Sequence, residues 1–159
     1  MAAGLGCLFV GKCREASLRE AAELYALKLS RLARCEVVTV KDAPASCPPA
    51  EKALREGRDL LSRLPAGAVP VVLDERGETW SSRELAVKLK VWEDAAHSPW
   101  FLVGGAYGLS DEVRERARSG GALFSLGRIT LPHELARVVL LEQLYRAASI
   151  NKGLPYHHD

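Results

Sequence analysis

The sequence predicts a single α/β domain in which a mostly parallel sheet is covered by helices on both faces. Short apolar segments alternate along the chain with longer segments of helical periodicity, and this alternation is typical of βαβ units. The length of 159 residues suits one domain with a sizeable core. No internal repeat or linker-like segment divides the sequence, so residues 1–159 are interpreted as one domain.

The predicted elements follow the hydrophobic pattern. Strands are predicted where short apolar or β-branched runs occur, at 4–10, 35–40, 69–74, 99–103 and 122–126. Helices are predicted where apolar residues recur every three or four positions, at 17–32, 51–64, 81–92, 110–119 and 135–150. Ser17 and Glu20 predict a capping box for the first helix, and Ser81 or Ser82 is expected to cap the third. The segment ERGE, 75–78, is predicted to be a turn.

The overall composition restricts the classes of partner. The formal net charge is +2, with 48% hydrophobic and 26% charged residues, as expected for a soluble globular protein. This small charge excludes a strongly basic nucleic-acid binder, so any RNA contact has to come from a local basic patch. No apolar run approaches the roughly 20 residues of a membrane-spanning helix, and no membrane partner is expected.

The cysteines and the start of the chain predict a cytoplasmic protein without a metal. Cys7, Cys13, Cys35 and Cys47 form no CxxC pair and have no histidine near them in sequence, so no zinc site is expected. Cys7 and Cys35 lie in strand-like runs and are expected to be buried as small hydrophobic residues. Residues 1–10 are too short for a signal peptide and lack its basic start.

The stretch FLVGGAYGLS, 101–110, places three glycines directly after the fourth predicted strand. In open parallel sheets, ligands bind beyond the carboxyl ends of the strands. Gly104, Gly105 and Gly108 lack the Cβ atom that would keep a ligand away from the backbone. The loop matches neither the phosphate-binding pattern GxxxxGK[ST] nor the dinucleotide-binding pattern GxGxxG. A tight strand-to-helix turn without a ligand stays open as an alternative.

Two further strand ends are expected at the same edge of the sheet. Leu73 ends the third predicted strand, and residues 126–131 follow the fifth strand as an irregular loop. Pro132 then suits the first turn of the last helix. Together the three strand ends predict a pocket in which backbone amides and carbonyls hold a flat ring such as adenine.

Three segments together resemble one protein family. FLVGGAYGLS, LPHELARVVLLEQLYRA and the terminal PYHHD resemble the ribosomal large-subunit RNA methyltransferase H family of the SPOUT class, the α/β-knot methyltransferases. The resemblance covers essentially the whole chain. It implies a Rossmann-like sheet with a deep C-terminal trefoil knot, S-adenosyl-L-methionine as the methyl donor, and a homodimer in which the RNA site is completed across the interface. The implied substrate is N3 of a pseudouridine in the helix 69 stem-loop of 23S ribosomal RNA, within the assembled ribosome.

The resemblance also implies which residues hold the cofactor. They lie in the three strand-end segments and are Leu73, Gly104, Gly105, Leu126, Gly127, Arg128, Ile129, Thr130 and Leu131. Two positions depart from the family pattern. Tyr107 stands where some relatives carry a smaller polar or acidic residue, so the lip of the pocket is expected to differ from theirs. His158 stands where relatives often carry arginine or lysine, so its contact with a phosphate is expected to be weaker.

Methylation of the pseudouridine N3 requires in-line attack and loss of the N3 proton. A base that removes this proton, or a cation that stabilises the imide anion, would each assist. The candidates are Tyr156 and His157 in the tail, with His133 and Arg146 on the last helix. Arg137, on the same helix, is a further candidate. Their structural alternatives are a frayed tail, a residue of a helix first turn and, for Arg146, a surface pair with Glu142. The resemblance alone favours a functional role for Arg146.

A basic surface is expected around the pocket for contact with ribosomal RNA. It is expected to comprise the loop after the first strand and several later residues, namely Lys12, Arg14, Arg128, Arg137, Arg146 and Lys152. The small net charge predicts weak binding to free RNA and favours a folded ribosomal site that is read by its shape.

The last helix is apolar over a broad arc, which predicts burial on more than one side. Two alternatives account for this burial: the helix forms part of a dimer interface, or it is buried in the core of a monomer. Two other functions stay open beside the methyltransferase: a flavodoxin-like nucleotide-binding module without catalysis, and a ribosome-associated structural factor that kept the knot and lost the donor. The ionisable tail YHHD favours catalysis.

Overall fold

The computed structural model of the chain describes residues 4–159. Residues 1–3, which begin the segment considered as a signal peptide, lie outside the described residues. Five strands and five helices alternate along residues 4–159, as the sequence predicts. Their bounds are β1 Leu5–Val10, α1 Ala16–Ser30, β2 Cys35–Val40, α2 Pro49–Arg63, β3 Ala68–Thr79, α3 Ser82–Asp94, β4 Ser98–Val103, α4 Asp111–Gly120, β5 Ala122–Ser125 and α5 His133–Asn151.

The strands form one sheet in the order β2-β1-β4-β3-β5. Every neighbouring pair is parallel. All five carboxyl ends therefore lie at the same edge of the sheet, and those of β4, β3 and β5 lie side by side. The three strand ends that were predicted to converge on a pocket do meet at this edge.

Helices cover both faces of the sheet. α5 packs against α1 and α3 on one face, while α2 packs against α4 on the other. Side chains along β1 alternate between the two layers, since Cys7 and Phe9 join the core beneath α5 and Leu8 joins the core beneath α2 and α4. Strands covered on both faces account for the nearly continuous apolar runs in the sequence. The position of α5 between two helices accounts for its broad apolar arc within one chain.

The strand β3 is longer than predicted, and the turn expected at ERGE is absent there. β3 pairs with β5 twice, through Leu73 opposite Phe124 and, after a register shift, through Glu78 opposite the same residue. Gly77 makes this second approach possible. A Cβ atom on Gly77 would lie 2.5 Å from the carbonyl carbon of Leu123, so a side chain has no room. The prediction treated glycine as a turn signal, whereas here it permits close contact between backbones.

The helix starts confirm one capping prediction and contradict another. At α3, the hydroxyl of Ser81 accepts a hydrogen bond from the Glu84 amide and the Glu84 carboxylate accepts one from the Ser81 amide, which is a capping box. The box predicted at Ser17 is wrong, because Ser17 lies inside α1 and Glu15 is the N-cap residue. The cap of α1 comes from Glu134 instead, whose Oε1 accepts from the amides of Arg14 and Glu15.

Cys7 is fully buried, as predicted, and Cys35 is half-buried at the start of β2. Within residues 4–159, none of the helices combines the length and the apolar character that a membrane crossing requires.

Candidate active site

A cavity of about 370 Å³ lies at the carboxyl ends of β3, β4 and β5. Its walls come from the three loops that follow these strands, and the first turn of α5 closes it with His133 and Ala136. The residues from the loops after β4 and β5 are Gly104, Gly105, Tyr107, Gly108, Leu109, Ser125, Leu126, Gly127, Ile129, Thr130 and Leu131.

The structure brings together nearly all of the residues that the sequence assigned to the cofactor. Leu73, Gly104 and Gly105 line the cavity, and so does the stretch 126–131 except for Arg128. The side chain of Arg128 is exposed and lies outside the lining. Arg128 therefore has no contact with the interior of the cavity.

The glycine loop is both a tight turn and a cavity wall. The amide of Gly108 donates to the carbonyl of Gly105 over 3.0 Å, and Gly108 has a φ angle of +79°. A Cβ atom on Gly104 would lie 2.9 Å from the Leu109 side chain and 3.0 Å from the Gly108 backbone. The loop thus needs glycine for its own packing, and its backbone also faces the cavity.

The loop after β5 is held by Ser125. Its hydroxyl donates to the Gly127 carbonyl over 2.8 Å and accepts from the Gly127 amide over 3.2 Å. Gly127 has a φ angle of +134°, and a Cβ atom there would meet no heavy atom within 4 Å. Only glycine adopts this conformation without strain, which leaves the loop backbone open beside the cavity. The sequence interpretation did not single out Ser125.

An ion pair that sequence reasoning missed forms one wall. The Nε of Arg114 on α4 lies 2.6 Å from Oδ2 of Asp74, and both residues line the cavity. The Asp74 side chain is only 4% exposed, and its Oδ1 accepts from the Arg76 amide over 2.9 Å. Burial acts to lower the pKa of Arg114, but the hydrogen bond and the charge of Asp74 raise it overall. The only sequence signal was the Leu73-Asp74 pair at the strand end.

The lining fits an adenosine-type ligand. Leu73, Phe124, Leu126 and Leu131 provide apolar surface for a flat ring, and the glycines on both sides leave backbone amides and carbonyls within reach. Asp74 and Arg114 neutralise each other, while the neighbouring Glu75 is an exposed carboxylate at the same wall.

A second cluster joins the tail to the last two turns of α5. The guanidinium of Arg146 donates to Glu142 Oε1 through Nε at 3.0 Å and Nη2 at 2.6 Å. The Tyr156 hydroxyl donates to the same oxygen over 3.0 Å, and its ring packs 4.7 Å from the guanidinium. The Arg146–Glu142 pair that the sequence suggested is present, but it is half-buried and belongs to this larger cluster.

The tail is packed rather than frayed. Nη1 of Arg146 lies 3.3 Å from Nδ1 of His157, and Nε2 of His157 lies 3.2 Å from Oδ1 of Asp159. Because arginine only donates, Nδ1 accepts and the Nε2–H points to Asp159. Asp159 also accepts from Arg83 over 2.9 Å.

The Tyr156 phenol keeps its proton at neutral pH in this arrangement. Burial raises the pKa of Tyr156, and the hydrogen bond to the Glu142 carboxylate raises it further. Tyr156 is therefore suited to donate a hydrogen bond and not to remove a proton.

Four of the candidate catalytic residues fall into two groups within one chain. His133 lines the cavity, whereas Arg146 stands thirteen residues later on the same helix, which corresponds to about 20 Å along its axis. Tyr156 and His157 lie with Arg146. Lys152 lies further still, beside the amino ends of β1 and β4. The expectation that Arg146 and Lys152 stand at the cavity edge is therefore wrong for a single chain.

Arg137 was also expected on the basic edge, and the structure contradicts this. Its side chain is buried under the β1–α1 loop, where Nη2 donates to the carbonyls of Val10 and Gly11 over 2.9 and 3.0 Å. Burial lowers the pKa of Arg137. The guanidinium supports the loop backbone and does not reach solvent.

The loop after β1 does place basic residues near the cavity. Lys12 and Arg14 are exposed, and Glu134 fastens the loop to α5 directly beside the cavity residue His133. Burial, together with the neighbouring Glu134, raises the pKa of Cys13 to about 11, so its thiol stays protonated. Within the described part of the chain, no group of three or more His, Cys, Asp or Glu side chains is placed to hold a metal ion.

The fold agrees with that of solved methyltransferase structures. A putative methyltransferase from Legionella pneumophila, solved with bound S-adenosylmethionine, shares the fold with a TM-score of 0.55 at 14% identity, over 92% of this chain and 67% of that one. A probable methyltransferase from Bordetella pertussis gives a TM-score of 0.54 at 15% identity, over 92% and 96% of the two chains.

Sequence comparisons reach nearly the whole chain. Residues 5–157 match the family described as "Predicted SPOUT methyltransferase". The chain is 45% identical to "Ribosomal RNA large subunit methyltransferase H" of Maridesulfovibrio salexigens over 152 residues, which cover 95% of this chain and 96% of that one. The protein of the same name from Gloeobacter violaceus is 44% identical over 149 residues, or 94% and 95% of the two chains. The chain therefore belongs to the SPOUT methyltransferases and, within them, to the ribosomal RNA large subunit methyltransferase H family.

Proposed function

We propose that the chain is an S-adenosylmethionine-dependent methyltransferase that acts on N3 of a pseudouridine in the helix 69 stem-loop of 23S ribosomal RNA, in the assembled ribosome and in the cytoplasm. The proposal includes the deep C-terminal trefoil knot of the SPOUT class. The observation that carries it is the cavity at three adjacent strand ends, in a chain 45% identical to a protein named for large-subunit ribosomal RNA methylation.

The cavity is the proposed cofactor site. S-adenosylmethionine supplies an electrophilic methyl group when bound. Leu73, Leu126 and Leu131 would enclose its adenine ring, and the backbone of Gly104 and Gly127 would hold its polar edges. The Asp74–Arg114 pair would keep the β3 end of this wall in place. Arg128, which lies outside the lining, is proposed to face the RNA instead.

The active site is proposed to combine residues from two chains. His133 lines the cavity, while Arg146, Tyr156 and His157 stand about 20 Å further along α5. A second copy related by two-fold symmetry would bring its tail to this cavity. The exposed apolar side chains of Leu24 and Leu27, 47% and 54% exposed on α1 beside α5, support such an interface.

Each tail residue has a proposed role. His157 would take the N3 proton on Nδ1 once the substrate displaces the Nη1–H of Arg146 from that nitrogen, with Asp159 holding its ring through Nε2–H. Arg146, anchored by Glu142, would stabilise the negative charge that the imide oxygens develop. Tyr156 would donate a hydrogen bond and keep the guanidinium in place from one side. Lys12 and Arg14 would bind phosphates beside the cavity.

The proposal is tested by methyl transfer from labelled S-adenosylmethionine to assembled ribosomes that lack this modification. The wild-type chain, Tyr156→Phe and His157→Ala are compared, with His97→Ala as a matched control because His97 is exposed and lies outside the cavity lining and the tail. We expect label in a pseudouridine of the large-subunit RNA, lost with His157→Ala, reduced with Tyr156→Phe and kept with His97→Ala.

Other results have distinct meanings. Label kept in both tail variants would support the methyltransferase activity and contradict the role of the tail, and it would move the chemistry to the last helix, where His133 lines the cavity. No label from the folded wild-type chain at saturating donor would contradict the proposal and favour a binding module without catalysis.

A further inference from the structure

Tyr107 is an exposed aromatic residue at the mouth of the cavity. It lines the cavity, yet its side chain is 55% exposed, while Gly105 and Leu109 on either side of it are buried. Across the mouth, Ile129 also lines the cavity and is 77% exposed. Two large apolar side chains therefore stand in solvent at the entrance, although neither is needed to fill the core.

A single cation accompanies the Tyr107 ring. The ammonium of Lys52 on α2 lies 4.8 Å from the ring centroid. Among residues 4–159, Lys52 makes no salt bridge, in contrast to Arg55 one turn later, which pairs with Glu51. The ring is exposed and the ammonium of the half-buried Lys52 lies over it, with the Glu56 carboxylate near enough to feel its charge but too far for a salt bridge.

The pair stands at the rim of the cavity, because Tyr107 lines the cavity and none of the described residues of α2 does. The proposed adenine walls, Leu73, Leu126 and Leu131, belong to β3 and to the loop 126–131. A flat ligand on the exposed face of Tyr107, beside Lys52, would therefore lie outside the space between these walls, on the path by which a macromolecular substrate approaches.

We propose that Tyr107 is a stacking platform for an unpaired nucleobase of the RNA substrate, with Lys52 binding the adjoining phosphate. This inference rests on the proposed function, because it concerns the nucleotide beside the methylated one. Single-stranded nucleic acids are bound by this combination of an exposed aromatic face and a nearby cation, since every base has a face that stacks. Ile129 would contact the opposite rim of the same nucleotide.

The experiment measures two affinities separately. Binding of S-adenosylmethionine to the dimer is followed by calorimetry, and binding to unmodified ribosomes is followed by co-sedimentation without the donor, with kcat and KM for methyl transfer measured alongside. The variants are Tyr107→Ala, Tyr107→Phe and Lys52→Met. Lys88→Met is the matched control, because Lys88 lies 4.5 Å over the Trp80 ring and neither residue lines the cavity.

For Tyr107→Ala we expect ribosome affinity to fall and KM for ribosomes to rise by about tenfold, in line with the loss of one stacked base, while the affinity for S-adenosylmethionine stays within about twofold. Tyr107→Phe should restore both, because it keeps the ring. Lys52→Met should weaken ribosome binding. It should also reduce the slope of log affinity against log salt concentration by about the amount that one phosphate contact contributes. Lys88→Met should match the wild-type chain.

Three results would overturn the inference. If Tyr107→Ala loses affinity for S-adenosylmethionine and for ribosomes to the same extent, the ring contacts the cofactor and not a nucleobase. Wild-type ribosome binding and KM in Tyr107→Ala, with wild-type methyl transfer intact, would show that the ring has no role and would leave the proposed function standing. Failure of the wild-type chain to methylate ribosomes would remove the proposed function and this inference together.

Discussion

The Tyr156 hydroxyl and the Arg146 guanidinium share one acceptor, Oε1 of Glu142, at 3.0 and 2.6 Å. Glu142 thereby fixes Tyr156 of the tail and Arg146 of α5 relative to each other, although Tyr156 lies fourteen positions after Glu142 along the chain. The carboxylate holds both proposed RNA-facing groups without facing the substrate itself.

Glu142→Gln should weaken the hydrogen bonds from Arg146 and Tyr156 while it keeps the shape of the side chain. The amide loses the charge that holds Arg146, so we expect methyl transfer to fall by about tenfold or more, mainly in kcat. Burial keeps the pKa of Tyr156 raised, but without the carboxylate it should move down toward its ordinary value, which a spectroscopic titration detects. The exposed pair Glu51–Arg55 provides the control Glu51→Gln, which should change neither readout. An unshifted tyrosine titration would contradict this account of Glu142.

Glu56 predicts a pH-dependent stability. Its side chain is buried beneath the glycine loop, with Oε1 accepting from the Ala43 amide over 3.1 Å and Oε2 without a partner in the described part of the chain. Burial raises the pKa of Glu56 above its ordinary value of 4.5, and Asp42 adds to the rise. The stability contributed by protonated Glu56 is thus full below pH 4.5 and is lost as the pH rises through the raised pKa.

Glu56→Gln stays neutral at every pH and keeps an acceptor for Ala43. The Tm of the variant should therefore increasingly exceed that of the wild-type chain as the pH rises from about 4.5 to 8, and the two Tm values should differ little at the acidic end. Glu20→Gln, at an exposed position of α1, should show a flat difference across the same range. A flat profile for Glu56→Gln as well would mean that the buried carboxylate is stabilised in some other way.

Gly77→Ala should destabilise the fold by about 1–3 kcal/mol, because its Cβ would meet the β5 backbone, which has no rotamer to change. Thermal or chemical unfolding measures this loss. Gly120→Ala is the matched control, since a Cβ there meets no heavy atom within 4 Å, and it should be neutral or slightly stabilising at the end of α4. Equal stability of the two variants would contradict the close approach of β3 and β5.

Mixed dimers test whether the tail acts on the partner's cavity. Thr130→Trp fills the mouth of the cavity from an exposed position, and His157→Ala disables the tail. Each variant alone should be inactive. Because a mixed two-fold dimer would contain one intact composite site, refolded mixtures should regain about a quarter of the wild-type activity. Mixtures as inactive as their components would indicate that tail and cavity of the same chain work together.

The sequence predicted the parts of the fold that follow from local periodicity. The alternation of strands and helices, the parallel sheet and the three converging strand ends all come from the spacing of apolar residues and the position of glycines. Ser81 was predicted as a cap because the capping box is a local pattern.

The parts that the sequence did not predict depend on contacts between distant residues. Glu134 caps α1 across 119 positions, and Arg114 reaches Asp74 across 40, so no window of sequence contains both partners. Arg137 was predicted to lie at the surface, because no local sequence pattern indicates the two backbone carbonyls to which it donates hydrogen bonds. The resemblance implied most of the residues that line the cavity, and it implied an RNA site completed across a dimer interface, but it did not predict how far along α5 the tail lies from His133.

The cap on α1 has a consequence for the order in which the chain is completed. The amides of Arg14 and Glu15 emerge early in synthesis, but their acceptor, Glu134, is made near the end. A growing chain that stops before α5 has an α1 helix without its cap and a β1–α1 loop without the support of Arg137. Such a chain also lacks the core residues Leu140, Leu141 and Leu144 and the cavity residue His133, so the entrance to the cavity is complete only once synthesis has passed the last helix.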